Sequence, residues 1–228
     1  MKFALKIAKK YNLKVIEDAA QAIGSKYYNK NAGSFGDAGC FSGHPLKNLN
    51  AFGDSGYLST NKINIYKKIQ SLKNHGMENR NIIKNFGHVS RMDNIQASIL
   101  NWKLRNLPNI IKKRRINASI YFSSLDREKI FFPDEKDYEF NSYHTFVVQV
   151  KERDKAVKFL KKYGISTSIH YPVPIHLQPA AKYLGYKMGD FPVAESQSKK
   201  ILTLPINETL SKNDILYICK ILNKFVKK

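Results

Sequence analysis

Short strands alternate with helices along this chain, and that order limits the possible folds more than any other feature of the sequence. The run L-K-V-I-E-D-A (13–19) predicts a short buried strand that follows a helix over 2–11. Further on, S-Y-H-T-F-V-V-Q-V (142–150) is rich in β-branched and aromatic residues and predicts a strong strand. A helix over 153–163 and a strand over 165–171 come next. Together these elements predict an α/β fold.

The first half of the chain holds fewer strands than a parallel sheet needs. Besides 13–19, only G-C-F-S-G (39–43) and G-Y-L-S-T (56–60) have the pattern of strands. Parallel sheets are built from repeated βαβ units and are covered on both faces. We therefore expect this half to be an incomplete part of a larger sheet domain, with further strands encoded upstream. A long helical pattern over 91–125 follows, and Pro108 predicts a kink or break within it.

The net charge of +21 raises the question of nucleic-acid binding, because basic surfaces attract phosphate. The basic residues mostly come in pairs between apolar helix positions, and the densest run (112–115) is flanked by isoleucines. This distribution favours solvated helix faces. We therefore expect no nucleic-acid partner, and a basic nucleic-acid-binding protein is the least favoured of three alternatives.

Three features of the sequence bear on where the protein works. No run of about 18 apolar residues occurs, so no membrane span is expected. The N-terminus is too interrupted by lysine to be a signal peptide. The two cysteines, Cys40 and Cys219, fit a reducing compartment without a disulfide framework. The sequence therefore predicts a cytoplasmic protein.

Asp18 and Lys47 are the first candidates for chemistry. Asp18 ends a predicted strand, where ligands of open α/β sheets bind, although a turn or helix-capping aspartate is the commoner role for such a residue. Most lysines are solvated charges, but Lys47 follows a predicted strand end and a proline turn, with Gly53 and Gly56 beyond it. A desolvated lysine becomes a nucleophile toward aldehydes. With a carboxylate nearby, it suits chemistry on pyridoxal 5'-phosphate (PLP).

Four blocks of sequence, in order and at matching intervals, resemble the DegT/StrS-type sugar aminotransferases. They are V-I-E-D-A-A-Q-A-I-G (15–24), G-S-F-G-D-A-G-C-F-S-G-H-P-L-K-N-L-N-A-F-G-D-S-G (33–56), S-R-M-D-N-I-Q-A (90–97) and G-I-S-T-S-I-H-Y-P-V-P-I-H-L-Q-P (164–179). The resemblance implies the aspartate-aminotransferase-like fold (PLP fold type I). It divides the chain into a partial PLP-binding large domain over 1–122, with a long connecting helix, and a small C-terminal α/β domain over 123–228.

The resemblance also assigns roles to residues of this sequence. Lys47 matches the lysine that forms the Schiff base with PLP and then moves a proton, and Asp18 matches the partner of the pyridine nitrogen. Gln21 matches a glutamine that hydrogen-bonds the phenolic oxygen of the cofactor, and Ser42 matches a serine that contacts its phosphate. A related branch uses histidine in place of the lysine for dehydration, so Lys47 implies transamination.

Three residues of the last block are expected near the nucleotide sugar: His170, Tyr171 and His176. Tyr171 could instead be a core residue. The histidine spacing is not that of a metal site, so no metal is expected.

The chain departs from the family pattern at Val89, where members commonly have an asparagine that reaches the cofactor phosphate of the partner subunit, and at Ser55, where they have glycine. Members also carry well over a hundred residues before V-I-E-D. The expected function is PLP-dependent transfer of an amino group, from glutamate, to a nucleotide-linked keto sugar in cell-surface polysaccharide or amino-sugar biosynthesis. The expected assembly is a homodimer, with or without a separately encoded N-terminal fragment. The alternative is a truncated, inactive remnant or non-catalytic subunit.

Overall fold

The computed structural model describes residues 1–227, which divide into two compact units. Unit 1 consists of Met1–Ile111 together with Glu135–Ser142, and unit 2 holds the rest. The division falls inside a helix, Leu107–Ser124. The domain boundary predicted at residue 122 lies in the same helix and stays a prediction. In the described range no helix has both the length and the apolar character to cross a membrane.

Unit 1 is built around a small mixed sheet. Its helices are α1 (Lys2–Lys10), α2 (Ile63–Leu72), α3 (Asn94–Leu104) and the start of α4 (Leu107–Ser124). Its strands are β1 (Ile16–Asp18), β2 (Lys26–Tyr27), β3 (Lys30–Asn31), β4 (Ala38–Ser42), β5 (Gly56–Ser59), β6 (Met77–Asn79), β7 (Ile82–Ile83) and β8 (Glu139–Phe140). The strand order is β1-β4-β5, with β1 parallel and β5 antiparallel to β4.

The first strand is shorter and less buried than predicted. β1 covers three residues, and within it only Glu17 is buried, whereas Ile16 is 71% exposed. The prediction of a buried strand over 13–19 is therefore wrong in both its length and its burial. The reason is that β1 lies at the edge of the three-stranded sheet and packs on one face alone.

The long helical pattern is split, as Pro108 predicts. α3 ends at Leu104 and α4 begins at Leu107, which places Pro108 in the first turn of α4, where a missing N–H costs nothing. The two helices supply part of the unit 1 core, whose buried members are Leu49, Ala51, Leu100, Leu107 and Ile111.

Segment 135–142 returns to unit 1 after the chain has entered unit 2. β8 pairs antiparallel with β2. The backbone N–H of Ser142 donates to Ser25 Oγ (3.0 Å), and Asn48 Nδ2 donates to the Ser142 carbonyl (2.9 Å). This late segment therefore adds the third strand to the sheet β3-β2-β8 and supplies the carbonyl that binds the Asn48 side chain.

Unit 2 packs helices on a two-stranded sheet. Its elements are the rest of α4, β9 (Phe146–Gln149), α5 (Arg153–Lys162), two 3-10 helices (Ile175–Leu177 and Pro179–Leu184), α6 (Pro192–Ser198), β10 (Ile201–Leu204) and α7 (Lys212–Val226). The core lies between this sheet and helices α4, α5 and α7, with Tyr121 stacked on Phe146 at 4.7 Å between ring centroids.

The strand predicted over 165–171 is absent from the described structure, so that prediction is wrong. β9 pairs antiparallel with β10, and the 165–171 segment contributes one isolated bridge, Ser168 with Thr203. Burial explains the difference, because Leu202, Thr203 and Leu204 are all buried in β10, whereas the earlier segment buries Ile165 alone.

Candidate active site

A tight turn after β4 carries Lys47. Ser42 ends β4, and its Oγ accepts a hydrogen bond from the backbone N–H of His44 (3.3 Å). The carbonyl of His44 then accepts from the backbone N–H of Lys47 (2.9 Å). Pro45 fixes the backbone between them. The end of β4 is therefore joined to Lys47 by a closed, hydrogen-bonded turn.

The segment beyond Lys47 folds back on the same turn. Gly43 donates its N–H to the Ser55 carbonyl (2.8 Å), and its carbonyl accepts from the N–H of Ala51 (2.8 Å). A Cβ at position 43 would lie 2.3 Å from Ser55 Oγ, so any larger residue there would force that hydroxyl to move. We call residues 42–55 the lysine loop.

Helix α3 holds the lysine loop from outside. Lys103 Nζ donates to Asn50 Oδ1 (2.6 Å), and Asn50 Nδ2 donates to the Pro45 carbonyl (2.5 Å). Gln96 Oε1 accepts from the backbone N–H of Phe52 (2.9 Å). These supports were missed from the sequence. Gln96 lies in the quoted block 90–97, and its place in that block was the signal that could have found it.

Lys47 and Asp18 interact electrostatically at the end of the sheet. Asp18 pairs in register with Cys40, two residues before the end of β4. Lys47 is half-buried, and burial lowers the pKa of its ammonium group, while the Asp18 carboxylate acts to raise it. The structure therefore brings these two predicted residues within electrostatic range of each other.

Glu17 lies on the opposite face of β1 from Asp18. Its buried carboxylate accepts three backbone hydrogen bonds, from the N–H groups of Gly33 (2.8 Å), Phe35 (2.6 Å) and Gly36 (2.7 Å). The alternation expected for consecutive strand residues thus leaves Asp18 as the carboxylate on the exposed side.

Gln21 lies in the turn that follows β1. The turn is closed by the N–H of Ala22 donating to the Ala19 carbonyl (2.9 Å), and Gln21 is exposed. Asp18 Oδ1 also accepts the N–H of Ala20 (3.1 Å), so part of its capacity serves the turn. The role of Gln21 toward a cofactor stays a prediction.

The three residues predicted near the nucleotide sugar lie in unit 2, where they line an open cavity of about 580 Å³. His170 Nδ1 is 2.9 Å from the Thr203 hydroxyl, and Tyr171 is 65% exposed, which excludes the core alternative for Tyr171. His176 is buried, and its Nε2 lies 3.0 Å from Glu195 Oε1. Within residues 1–227 no group of three or more metal-ligating side chains occurs.

A family-wide sequence profile, described as the DegT/DnrJ/EryC1/StrS aminotransferase family, matches residues 1–223. The chain belongs to this family. The family assignment made from the four sequence blocks is therefore confirmed.

Two curated relatives show how similar this chain is in sequence to other proteins. The chain is 39% identical to a dTDP-3-amino-3,6-dideoxy-alpha-D-galactopyranose transaminase of Aneurinibacillus thermoaerophilus, over 96% of this chain and 60% of that protein. It is 36% identical to a "pleiotropic regulatory protein" of Geobacillus stearothermophilus, with the same coverage. The chain thus spans about 60% of the length of these relatives.

Solved structures of the DegT/DnrJ/EryC1/StrS family share the fold. The chain superposes on a family aminotransferase of Brucella abortus with a TM-score of 0.93 at 32% identity, covering 99% of this chain and 60% of that one. It superposes on DesV of S. venezuelae, solved with a ketimine intermediate, with a TM-score of 0.95 at 31% identity, covering 99% and 61%. The predicted fold class, α/β and aspartate-aminotransferase-like, is confirmed.

Members of the DegT/DnrJ/EryC1/StrS family depend on PLP, and the similar Spr1654 of Streptococcus pneumoniae was solved in a PLP form (26% identity, TM-score 0.87, 96% of this chain and 59% of that one). The donor set of unit 1 fits this cofactor. An amine whose pKa is lowered by burial stands beside the carboxylate of Asp18, and the hydroxyl of Ser42 precedes the turn. The cofactor expected from the sequence is thus the cofactor of the family.

Proposed function

We propose that this chain carries the cofactor-binding lysine of a PLP-dependent aminotransferase that acts on a nucleotide-linked keto sugar. The observation that carries the proposal is the environment of Lys47, which is half-buried beside Asp18 in a loop held by α3. A lysine with a lowered pKa is available as a free amine closer to neutral pH than a solvated lysine is.

Each residue of the proposed site has a distinct task. Bound PLP supplies an electron sink for the carbon that loses a proton. Lys47 Nζ would hold the cofactor at its aldehyde carbon, with loss of water, and once released would carry a proton between the substrate and cofactor carbons. Asp18 holds the proton at the pyridine nitrogen, Gln21 hydrogen-bonds the phenolic oxygen, and Ser42 binds the phosphate.

The substrate class rests on relatives and on the cavity of unit 2. Relatives are named as transaminases of dTDP-amino sugars and as a UDP-N-acetyl-3-dehydro-alpha-D-glucosamine aminotransferase. We place the sugar near His170, Tyr171 and His176, with glutamate as the amino donor. Production of amino sugars for cell-surface polysaccharide, in the cytoplasm, is the biological setting that this chemistry fits.

The exposed apolar surface of unit 1 supports a partner. α1 is amphipathic, yet Phe3 and Ile7 are 74% and 40% exposed, and Ile16 lies beside an open sheet edge. Exposed apolar surface next to an unpaired strand marks an interaction site. A further polypeptide segment that covers this face, with a homodimer as the assembled enzyme, accounts for it.

A non-catalytic subunit is the second candidate function. The observation that favours it is Val89, 57% exposed, at the position where an asparagine commonly reaches the partner's cofactor phosphate. In this alternative the chain would keep Lys47 and the fold but would hold PLP weakly.

Covalent labelling distinguishes the two candidates. We expect that PLP added to the purified chain produces a visible absorbance band, and that borohydride reduction leaves a phosphopyridoxyl group on Lys47 in peptide mass spectra. K47A should abolish the band, whereas K68A, which removes an exposed lysine of α2, should not. Labelling spread evenly over lysines, with no band lost in K47A, would contradict the proposal and favour the non-catalytic subunit.

A further inference from the structure

Glu195 is a buried carboxylate that the proposed chemistry does not use. It lies in α6 and is 7% exposed. Oε1 accepts hydrogen bonds from the N–H of Gly189 (2.9 Å) and of Phe191 (3.2 Å), and the N–H of Gly189 also lies 3.0 Å from Oε2. His176 Nε2 is the third contact of this carboxylate, 3.0 Å from Oε1. One side chain therefore joins α6, the 189–191 turn and the short helix Ile175–Leu177.

The donors keep this buried carboxylate charged. Burial acts to raise the pKa of Glu195, but the hydrogen bonds from Gly189, His176 and Phe191 outweigh burial and hold the pKa below its ordinary value. Stability alone does not call for a charged group here, because an apolar side chain of similar volume often serves a folded protein as well. The charged Glu195 is therefore better explained by the positions in which it holds its three hydrogen-bond partners.

That geometry concerns the cavity of unit 2. His176 and Phe191 both line it, and their rings pack together at 4.7 Å between centroids. Because a carboxylate oxygen only accepts, His176 meets Glu195 through its Nε2–H group, and in the Nε2–H tautomer Nδ1 is the acceptor nitrogen. The imidazole is thus fixed in one tautomer by Glu195 and in one plane by Phe191.

The other end of α6 is held by a second buried charge. Arg153, 7% exposed, donates from Nη1 to the carbonyls of Ser198 (3.3 Å) and Ile201 (3.1 Å), and both of these residues line the cavity. The wall formed by α6 is therefore fixed at its far end independently of Glu195. Removing the Glu195 carboxylate should loosen His176 and the 189–191 turn and leave that end in place.

We propose that Glu195 is a positioning residue of this cavity, acting through His176, which it holds ready to accept a hydrogen bond from a sugar hydroxyl. The nature of the ligand rests on the proposed function, whereas the action of Glu195 on His176 does not. Binding of a nucleotide that carries a hexose should therefore depend on Glu195, whereas binding of the same nucleotide without the hexose should not.

The test combines a structural readout with a binding readout on the full chain. Long-range 1H–15N spectra of histidine-labelled protein report the tautomer of His176, and calorimetry measures the affinity for UDP-glucose and for UDP. The variants are E195A, E195Q, H176A and the double variant. E152A, which removes an exposed glutamate of the same unit, is the matched control.

We expect E195A to lose the Nε2–H tautomer signature and to bind UDP-glucose about tenfold or more weakly, with UDP affinity unchanged. E195Q retains an acceptor oxygen and should keep both properties within about threefold. In the H176A background, E195A should weaken UDP-glucose no further, because Glu195 acts through the missing ring.

Three results would overturn the inference: an unchanged tautomer in E195A, a loss in E195Q equal to that in E195A, or additive effects in the double variant. If E195A does not fold, as judged by circular dichroism, the E195Q spectra and affinities decide alone. If the unmodified chain binds neither UDP-glucose nor UDP, the proposed substrate class fails, while the His176 spectra still decide whether Glu195 positions the ring.

Discussion

Replacing Glu17 by alanine tests how the edge strand β1 is held. The Glu17 carboxylate is 7% exposed and accepts the N–H groups of Gly33, Phe35 and Gly36 at 2.6–2.8 Å. E17A leaves all three donors without this acceptor, and an unsatisfied buried donor costs about 1–3 kcal/mol. Water can reach the two part-buried N–H groups, so we expect a total loss of about 3 kcal/mol in the free energy of unfolding.

Amide hydrogen exchange and urea unfolding together measure this effect. E17A should speed exchange at the amides of residues 33, 35 and 36 and lower the urea midpoint. E17Q keeps one acceptor oxygen but directs an amide N–H₂ group toward the N–H of Gly33, so its loss should be intermediate. E78A removes an exposed glutamate of β6 and should cost less than about 1 kcal/mol. The reasoning is refuted if E17A matches E78A in both measurements.

Two further predictions concern unit 2. The hydrogen bonds between Ser211 and Asp214 form a capping box at the start of α7, so S211A should lower the free energy of unfolding by about 1 kcal/mol in urea titrations. Those bonds hold the pKa of Asp214 below its ordinary value. The contribution of this carboxylate to the free energy of unfolding is therefore present at neutral pH and is lost as the pH falls below the ordinary pKa. Equal acid sensitivity in S211A and the unmodified chain would contradict this. Burial raises the pKa of the Cys219 thiol to about 12. An aromatic disulfide reagent at pH 8 should therefore label the half-buried Cys40 alone until denaturant is added. Rapid labelling of both thiols would be inconsistent with the packing of α7.

Local signals in the sequence predicted the helices well. Pro108 marks the break between α3 and α4, where the structure ends one helix at Leu104 and begins the next at Leu107. Strand pairing was harder to predict, because it depends on residues far apart in sequence. The 165–171 segment alternates as a strand should, yet the segment that pairs with β9 is β10, which only three-dimensional burial distinguishes.

The residues of the candidate site that belong to a sequence motif could be predicted. The residues that act only through contacts in the folded chain could not. Asp18 and Lys47 were found from the sequence, and burial of Lys47 with its charge interaction agrees with their pairing. Lys103 and Glu195 were missed, since each acts through a hydrogen bond to a residue more than fifteen positions away. A lysine among 39 basic residues carries no local signal that it holds Asn50.

The return of segment 135–142 to unit 1 has a consequence for the order of events during synthesis. Ser142 binds Ser25 and Asn48, and β8 supplies the outer strand beside β2. A ribosome-bound chain that has emerged only as far as Ile111 lacks these groups, although it already contains Lys47. Unit 1 can therefore finish folding only after the first part of unit 2 has been made, and any genetic dissection of the two units must carry residues 135–142 with the first.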